Sequence, residues 1–329
     1  MNDRFQQLNP LWDQFPSMQR DLKTVRAIMV DNLTVQDTEI QTALTSMLTD
    51  GGKLLRPALT ILIGRFFPHH HNDLLGLAAT VELLHTATLI HDDIIDDAPL
   101  RRHQKTIQTQ FGKDVAVYAG DYLFATTFRL LAYHSHSVEA GRKGAEYLEK
   151  ILNGELSQRM NHFNTNITVA DYTNQIAGKT AALFEFASYL GTTTVDNLDP
   201  AFSQSAQQFA YNLGMAFQIL DDILDYADDQ ETLGKPTLED IQNGVYSLPL
   251  ILAMQEEPTI KTLLQVPVLS TNQVTEIAQL VQQSQAIETA MEMASHYTDQ
   301  AEDHLDALPD GEAKDILYAL SDQLLSRQR

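Results

Sequence analysis

The chain has 329 residues, 44 Asp and Glu against 22 Lys and Arg, and no cysteine. Without cysteine there is no disulfide framework, no thiolate zinc site and no catalytic thiol. A formal net charge of −22 excludes passive attraction to nucleic acid or to an anionic membrane surface, and a hydrophobic content of 43% excludes wholesale disorder.

The first residues, Met1-Asn2-Asp3-Arg4-Phe5-Gln6-Gln7, lack the basic start and apolar run of a secretory signal. No uninterrupted apolar run approaches the roughly 20 residues of a membrane span, so a soluble, cytoplasmic protein with no membrane span is expected. The periodicity that follows is helical nearly throughout. Loops are expected at 50–53 and at 68–72, where Pro68 precedes a polar run of His69, His70 and His71. Leu74, Leu77, Ala78, Val81, Leu84 and Thr88 then keep the 3.6-residue spacing of one helix face. A third loop is expected at 98–106. Thr168 with Asp171 three residues on reads as a capping box. Gly178-Lys179-Thr180 lies inside an otherwise apolar helix, between Ile176 and Phe184. Asp199-Pro200 sets a capping acid before a proline at the first helical position, and Phe202, Ala206, Phe209 and Leu213 carry the helical spacing onward. The last expected loop is 228–246.

Alternating β-branched runs are scarce. Gly and Pro total 26 residues and do not cluster into a linker, and no internal repeat of 20–50 residues is visible. The reading is therefore all-α, with about ten to thirteen helices in one continuous domain over 1–329. The charge is uneven: residues 203–329 hold 21 acids against 5 bases. That half is either a solvated acidic face or a site built for cations.

Two segments share the pattern D-D-x-x-D. Asp92-Asp93-Ile94-Ile95-Asp96 and Asp221-Asp222-Ile223-Leu224-Asp225 lie 129 positions apart. Residues four apart share a helix face, which pairs Asp92 with Asp96 and Asp221 with Asp225. The first stripe extends upstream through His85 and Leu89, the second through Gly214 and Gln218. Pro99 closely follows the first cluster, and Gly234 and Pro236 follow the second. Both clusters thus fall near the C-terminal ends of long apolar helices. The helix dipole disfavours a carboxylate there by a few tenths to about one kcal/mol, and like charges at i, i+4 add a similar penalty. Bound cations would remove both. Clustered carboxylates without Cys select a hard, oxygen-binding metal, magnesium or calcium. An EF-hand is poorly supported, because neither cluster has that loop's glycine and distal glutamate.

Magnesium held by one or two carboxylates usually keeps phosphate ligands, and the bases show where phosphates would go. Gly51-Gly52-Lys53-Leu54-Leu55-Arg56-Pro57 is a glycine turn with two cations. Arg101-Arg102 follows the first aspartate cluster, Lys179 sits in its apolar helix, and Gly234-Lys235-Pro236 follows the second cluster. Arg grips phosphate bidentately and Lys acts as a point charge. Taken singly, Lys179 fits a lysine snorkelling from an apolar face, and His85 fits a satisfied core histidine.

At these residues the chain resembles the trans-isoprenyl diphosphate synthases (polyprenyl synthetases). The matching blocks are Gly51–Pro57, Glu82–Arg102, Gly178–Thr180, Gly214–Tyr226 and Gly234–Pro249, in the family's order and over most of the chain. The resemblance implies a single helical bundle around a central cavity, of isoprenoid synthase type. It implies a homodimer, with a second subunit as an alternative. The implied reaction joins isopentenyl diphosphate to an allylic prenyl diphosphate with three magnesium ions. By resemblance, Asp92 and Asp96 hold two of them, and Asp221, with Asp225 on its face, the third. Arg101, Lys179, Thr180, Gln218 and Lys235 resemble the allylic diphosphate site. Lys53, Arg56, His85 and Arg102 resemble the isopentenyl diphosphate site. Asp92, Asp96, Asp221 and Lys179 are the expected catalytic set.

Two positions depart from the family pattern. Leu54 stands where the family often has Arg. Val245, in Gly244-Val245-Tyr246-Ser247-Leu248-Pro249, replaces a lysine that in relatives helps hold the allylic diphosphate. Four and five residues before Asp92 stand Thr88 and Ala87, where relatives that stop early carry a bulky aromatic. A product longer than farnesyl follows, of roughly 30 to 40 carbons by analogy, with geranylgeranyl left open. Two rival readings are a class I terpene cyclase, which has no use for Lys53, Arg56 and Arg102, and a subunit of a two-component synthase.

Overall fold

Helices form wherever the apolar spacing requires them. The computed structural model describes residues 8–102, 104–195, 198–227, 239–266 and 268–325. Contacts divide the chain into two compact units, Met1–Glu146 with Phe186–Ser203, and Tyr147–Glu185 with Gln204–Arg329.

The first unit begins with a 3-10 turn, Pro10–Trp12, and the helices α1 (Pro16–Asp31), α2 (Thr38–Thr49), α3 (Leu55–Gly64) and α4 (His71–Ile95). A hairpin of β1 (Leu100–Arg101) and β2 (Gln104–Lys105) follows, then α5 (Ile107–Phe111) and α6 (Lys113–His134). Its core helix is α4, which packs against α1, α3 and α6. The predicted stripe of Leu74, Leu77, Ala78, Val81, Leu84 and Thr88 is buried throughout. By length and hydropathy α4 could cross a membrane, but 78% of its most apolar window is buried inside the protein, as in the central helix of a folded core.

Next in the chain come α7 (Val138–Met160), α8 (Val169–Ile176), a π-helix (Ala177–Ala181), α9 (Ala182–Thr192) and α10 (Pro200–Ala227). Six helices complete it: α11 (Glu239–Gln242), α12 (Leu248–Glu256), α13 (Pro258–Leu263), α14 (Thr271–Gln283), α15 (Ala286–Asp306) and α16 (Glu312–Leu325). In the second unit α12 packs on α8, α14 and α15, around Ile219, Ile223, Leu250, Ile251 and Ile277.

The expected start signals operate. Thr168 and Asp171 make both hydrogen bonds of a capping box, and Asp199 accepts from Ala201 N at 2.9 Å. Both aspartate clusters sit where expected: Asp96 is the C-cap of α4, and Asp221 to Asp225 occupy the last turns of α10. The differences are local. Sixteen α-helices are described rather than ten to thirteen, because α5, α11 and α13 have only 5, 4 and 6 residues, too few to show a period. The 98–106 loop contains the hairpin, with Leu100 opposite Lys105 and Arg101 opposite Gln104. The 68–72 loop is shorter than expected, since His71 already begins α4.

Candidate functional site

The chain must turn sharply between α2 and α3, and it does so through left-handed backbone at Gly51, Gly52 and Leu54, with φ of +83°, +77° and +52°. Glycine takes that conformation without strain. Leu54 takes it with its side chain in the core, 3% exposed, which accounts for an apolar residue at this position. Lys53 is held between these residues, its carbonyl accepting from the buried Trp12 Nε1 at 2.7 Å. Arg26, buried on α1, donates from Nη2 to Gly51 O at 3.3 Å. Arg102, left-handed itself at φ +51°, lies over the same turn. A Cβ on Gly52 would stand 3.1 Å from its Nη1.

On α4, Glu82 is surrounded by arginines. Burial raises its pKa, and Arg56, Arg102 and Arg26 pull it back down. Burial also lowers the Arg56 guanidinium to about 10, with Glu82 opposing, so Arg56 stays charged at neutral pH. His85, one turn beyond Glu82, is held well below 6.5, first by burial and then by Arg56, Arg102 and Arg101. It is a neutral imidazole among cations. Lys53, Arg56, His85 and Arg102, expected as one set, are thus gathered in the first unit. Trp12, Arg26 and Glu82 join them unannounced. Glu82 was legible, being three residues before His85 on the same helix face; Trp12 and Arg26 carry no local signal. A cavity of about 730 Å³ in this unit is lined by Ser46, Gly51, Glu82, Asp93, Arg101 and Arg102, among others.

In the first aspartate cluster the three carboxylates differ. Asp93 is buried and accepts from Arg101 Nε at 2.7 Å, while its Oδ2 is buried without a hydrogen-bond partner. Burial raises its pKa, against Arg101. Arg101 is therefore already engaged, and its positive charge offsets the negative C-terminal end of α4. Gln108 closes that helix end, donating from Nε2 to Asp93 O at 2.7 Å. Asp97 pairs with Lys113 at 2.9 Å. Asp92 is half-buried and Asp96 exposed.

The second cluster, in the second unit, repeats the arrangement. Asp222 is half-buried and accepts from Tyr172 OH at 2.7 Å and from Gln218 Nε2 at 2.8 Å. Burial pushes it up to about 7, against both hydrogen bonds. Gln218 Oε1 accepts from Thr180 Oγ1 at 2.7 Å, so Thr180 and Gln218 are brought together as expected, but held by each other and by Asp222. Asp221 and Asp225 are exposed. In both clusters the middle aspartate is the most buried of the three.

Lys179 lies on the π-helix, where an extra residue in the turn displaces side chains from the α-helical path. Its Nζ donates to Glu155 Oε2 at 3.0 Å and to Gln158 Oε1 at 2.8 Å, both on α7. Neither the π-turn nor this pair was visible in the sequence. Lys235 lies outside the described residues. Val245 is half-buried in a pinned loop: its N donates to Asp240 O at 2.8 Å, and the Gly244 carbonyl accepts from Phe163 N at 2.8 Å.

Among the described residues, no three His, Asp or Glu side chains form a metal cage by themselves. The flanking pairs Asp92 with Asp96 and Asp221 with Asp225 offer oxygen ligands only. Such a set suits a hard cation that completes its shell with water and phosphate, as magnesium does, better than an all-protein calcium cage.

The polyprenyl synthetase family profile matches residues 37–284. Component 2 of the heptaprenyl diphosphate synthase of Bacillus subtilis is 32% identical over 284 residues, covering 86% of this chain and 81% of that protein. The structure of a geranylgeranyl pyrophosphate synthase from Lactobacillus brevis matches with a TM-score of 0.91 at 35% identity, over 96% of this chain and 99% of that one. A polyprenyl synthase from Caulobacter crescentus, complexed with calcium and isoprenyl diphosphate, matches with a TM-score of 0.88 at 30% identity, over 99% of both chains.

Proposed function

The chain belongs to the polyprenyl synthetase family, and from that premise we propose that it extends an allylic prenyl diphosphate with isopentenyl diphosphate to a longer all-trans product. The family profile runs through residues of both units, which we read as one polyprenyl synthetase domain. The observation that carries the proposal is the repeated cluster design: a hydrogen-bonded middle aspartate, the most buried of its three, between two more exposed ones, at the C-terminal ends of α4 and α10. A purely structural carboxylate cluster has no reason to place four further carboxylates where the helix dipole opposes them.

In this reading Asp92 and Asp96 hold two magnesium ions, and Asp221, with Asp225, a third. Magnesium supplies charge neutralisation for the leaving diphosphate. Lys179 and Arg101 bind the allylic diphosphate, with Thr180 and Gln218 orienting it and Lys235 adding a third cation. Lys53, Arg56 and Arg102 bind isopentenyl diphosphate. The neutral His85 donates a hydrogen bond there without adding charge. The allylic C–O bond breaks with its electron pair leaving on the diphosphate. The isopentenyl double bond attacks the cation, and a proton passes to the released diphosphate. No protein nucleophile takes part, and exclusion of water protects the cation.

Product length follows from α4. Ala87 is fully buried and Thr88 is 8% exposed, and neither is bulky enough to stop a tail at that level. The proposed product has roughly 30 to 40 carbons, by analogy to relatives. A homodimer is supported by the outer face of α7, where Leu152, Leu156 and Met160 are exposed at i, i+4 and i+8, an apolar stripe of the kind that marks an interface.

The test is an assay of the purified chain with farnesyl diphosphate, labelled isopentenyl diphosphate and magnesium, reading product length. Labelled products longer than farnesyl support the proposal; cyclised farnesyl without isopentenyl uptake refutes it. A two-component enzyme is the second reading, favoured by Val245 in place of a lysine and by the similarity to a component 2 subunit. Inactivity of the chain alone, restored by a second subunit, would select it. Inactivity restored by Val245→Lys would select a weakened one-component enzyme.

A further inference from the structure

The ammonium of Lys179 sits at the end of a long, flexible stem, and something must aim it. We propose that Glu155 and Gln158 of α7 are positioning residues for Lys179, at a spacing set by direct backbone contact between Gly154 and Gly178; this rests on the reading of Lys179 as an allylic diphosphate ligand.

Three observations support the assignment. Glu155 Oε2 and Gln158 Oε1 accept from Lys179 Nζ at 3.0 and 2.8 Å, so one carboxylate and one amide, three residues apart on a helix face, share one ammonium. Each neighbouring glycine is pressed against backbone: a Cβ on Gly154 would stand 2.6 Å from Lys179 N, and one on Gly178 would stand 2.8 Å from Gly154 Cα. Glu155 and Lys179 thus each follow a glycine at a contact with no side chain between. The π-helix Ala177–Ala181 re-aims Lys179 within that contact. Glu155 is also only partly exposed, at 19% of its side chain, so water does not compete freely for the pair.

A lysine held in one rotamer before substrate arrives has less freedom to lose on binding. Removing the holder makes the diphosphate order the side chain, at about twofold to tenfold in affinity. Glu155→Ala should therefore raise the KM for farnesyl diphosphate by about threefold to tenfold and leave the KM for isopentenyl diphosphate within about twofold. Glu155→Gln keeps an acceptor of the same size and should restore farnesyl diphosphate KM to within about twofold of wild type. In a Lys179→Ala background, Glu155→Ala should add nothing further, because it acts through the lysine.

The experiment is a steady-state KM series for both substrates on the full-length variants, with melting followed by circular dichroism. If Lys179→Ala leaves the farnesyl diphosphate KM unchanged, the ligand reading fails and the positioning role with it. If Lys179→Ala raises that KM but Glu155→Ala does not, or lowers it, the positioning role alone is overturned. The same holds if Glu155→Ala acts at full strength without Lys179, or if Glu155→Gln is as impaired as Glu155→Ala. Should Glu155→Ala not melt cooperatively, Gln158→Ala removes the second acceptor and carries the same expectation and the same refutation.

Discussion

Gly154→Ala puts a methyl where the backbone of the π-helix already stands. Its Cβ would lie 2.6 Å from Lys179 N, 2.9 Å from Gly178 C and 3.0 Å from Gly178 Cα, against ordinary contact distances of about 3.5–4.0 Å. These are backbone atoms and cannot rotate away, so α7 or the π-helix must shift by roughly the missing 0.5–1 Å. Overpacking of that kind costs about 1–3 kcal/mol, while alanine gains about 1 kcal/mol over glycine in a helix. The net is a loss of about 0–2 kcal/mol. The same helix holds its own control. Gly141 has nothing within 4 Å of its would-be Cβ, so Gly141→Ala keeps the helical gain and nothing opposes it. The two variants should melt on opposite sides of wild type, or at least be separated by about 1–3 kcal/mol. Because Lys179 N is the nearest atom, Gly154→Ala should also raise the KM for the allylic substrate, and Gly141→Ala should not. Thermal melting and steady-state kinetics read both effects. A Gly154→Ala enzyme as stable as Gly141→Ala with an unchanged allylic KM would show that the two backbones do not touch.

Asp92→Ala or Asp221→Ala should cut turnover by orders of magnitude, since charge neutralisation of the leaving group is the main catalytic term, while circular dichroism keeps its helical signal; near-normal activity in either would refute the metal assignment. Trp12→Phe removes the hydrogen bond to the Lys53 carbonyl, worth about 0.5–1.5 kcal/mol, and leaves a cavity at a fully buried site that adds to the loss, and it should raise the KM for isopentenyl diphosphate more than that for the allylic substrate. His85 is held neutral, well below 6.5. Below that pH the unfolded chain binds a proton that the folded one resists, so stability falls as pH drops. His85→Gln should accordingly lose less melting temperature than wild type between about pH 7 and pH 5, and equal losses would mean that His85 titrates normally in the fold. Ala87→Phe should shorten the product, with melting checked because Ala87 is fully buried; an unchanged product distribution in a folded, active variant would show that the tail does not pass this residue.

The aspartate clusters were legible because their signal is local: carboxylates at i and i+4 share a face whatever the rest of the chain does. The helix starts at Thr168 and Asp199 were legible for the same reason, since a cap uses groups within three residues. Which aspartate of each cluster turns inward was not legible. Asp93 and Asp222 are distinguished by Arg101, Tyr172 and Gln218, and Tyr172 is 50 positions from its partner. The π-turn at Lys179 was hidden because one inserted residue leaves the apolar pattern nearly intact over so short a span.

By itself the sequence determined the all-α class, the placement of both D-D-x-x-D segments at helix C-terminal ends, and the family. Each rests on periodicity or on motifs whose spacing is set along one helix. Tertiary structure alone decided what holds the cations. Trp12 and Arg26 reach the glycine turn from residues 41 and 25 positions away, and Glu155 and Gln158 reach Lys179 from 24 and 21 positions away. Hydrogen bonds and ion pairs act over a few ångströms in space, and only the packing of α1 on the turn and of α7 on the π-helix brings those groups within that range.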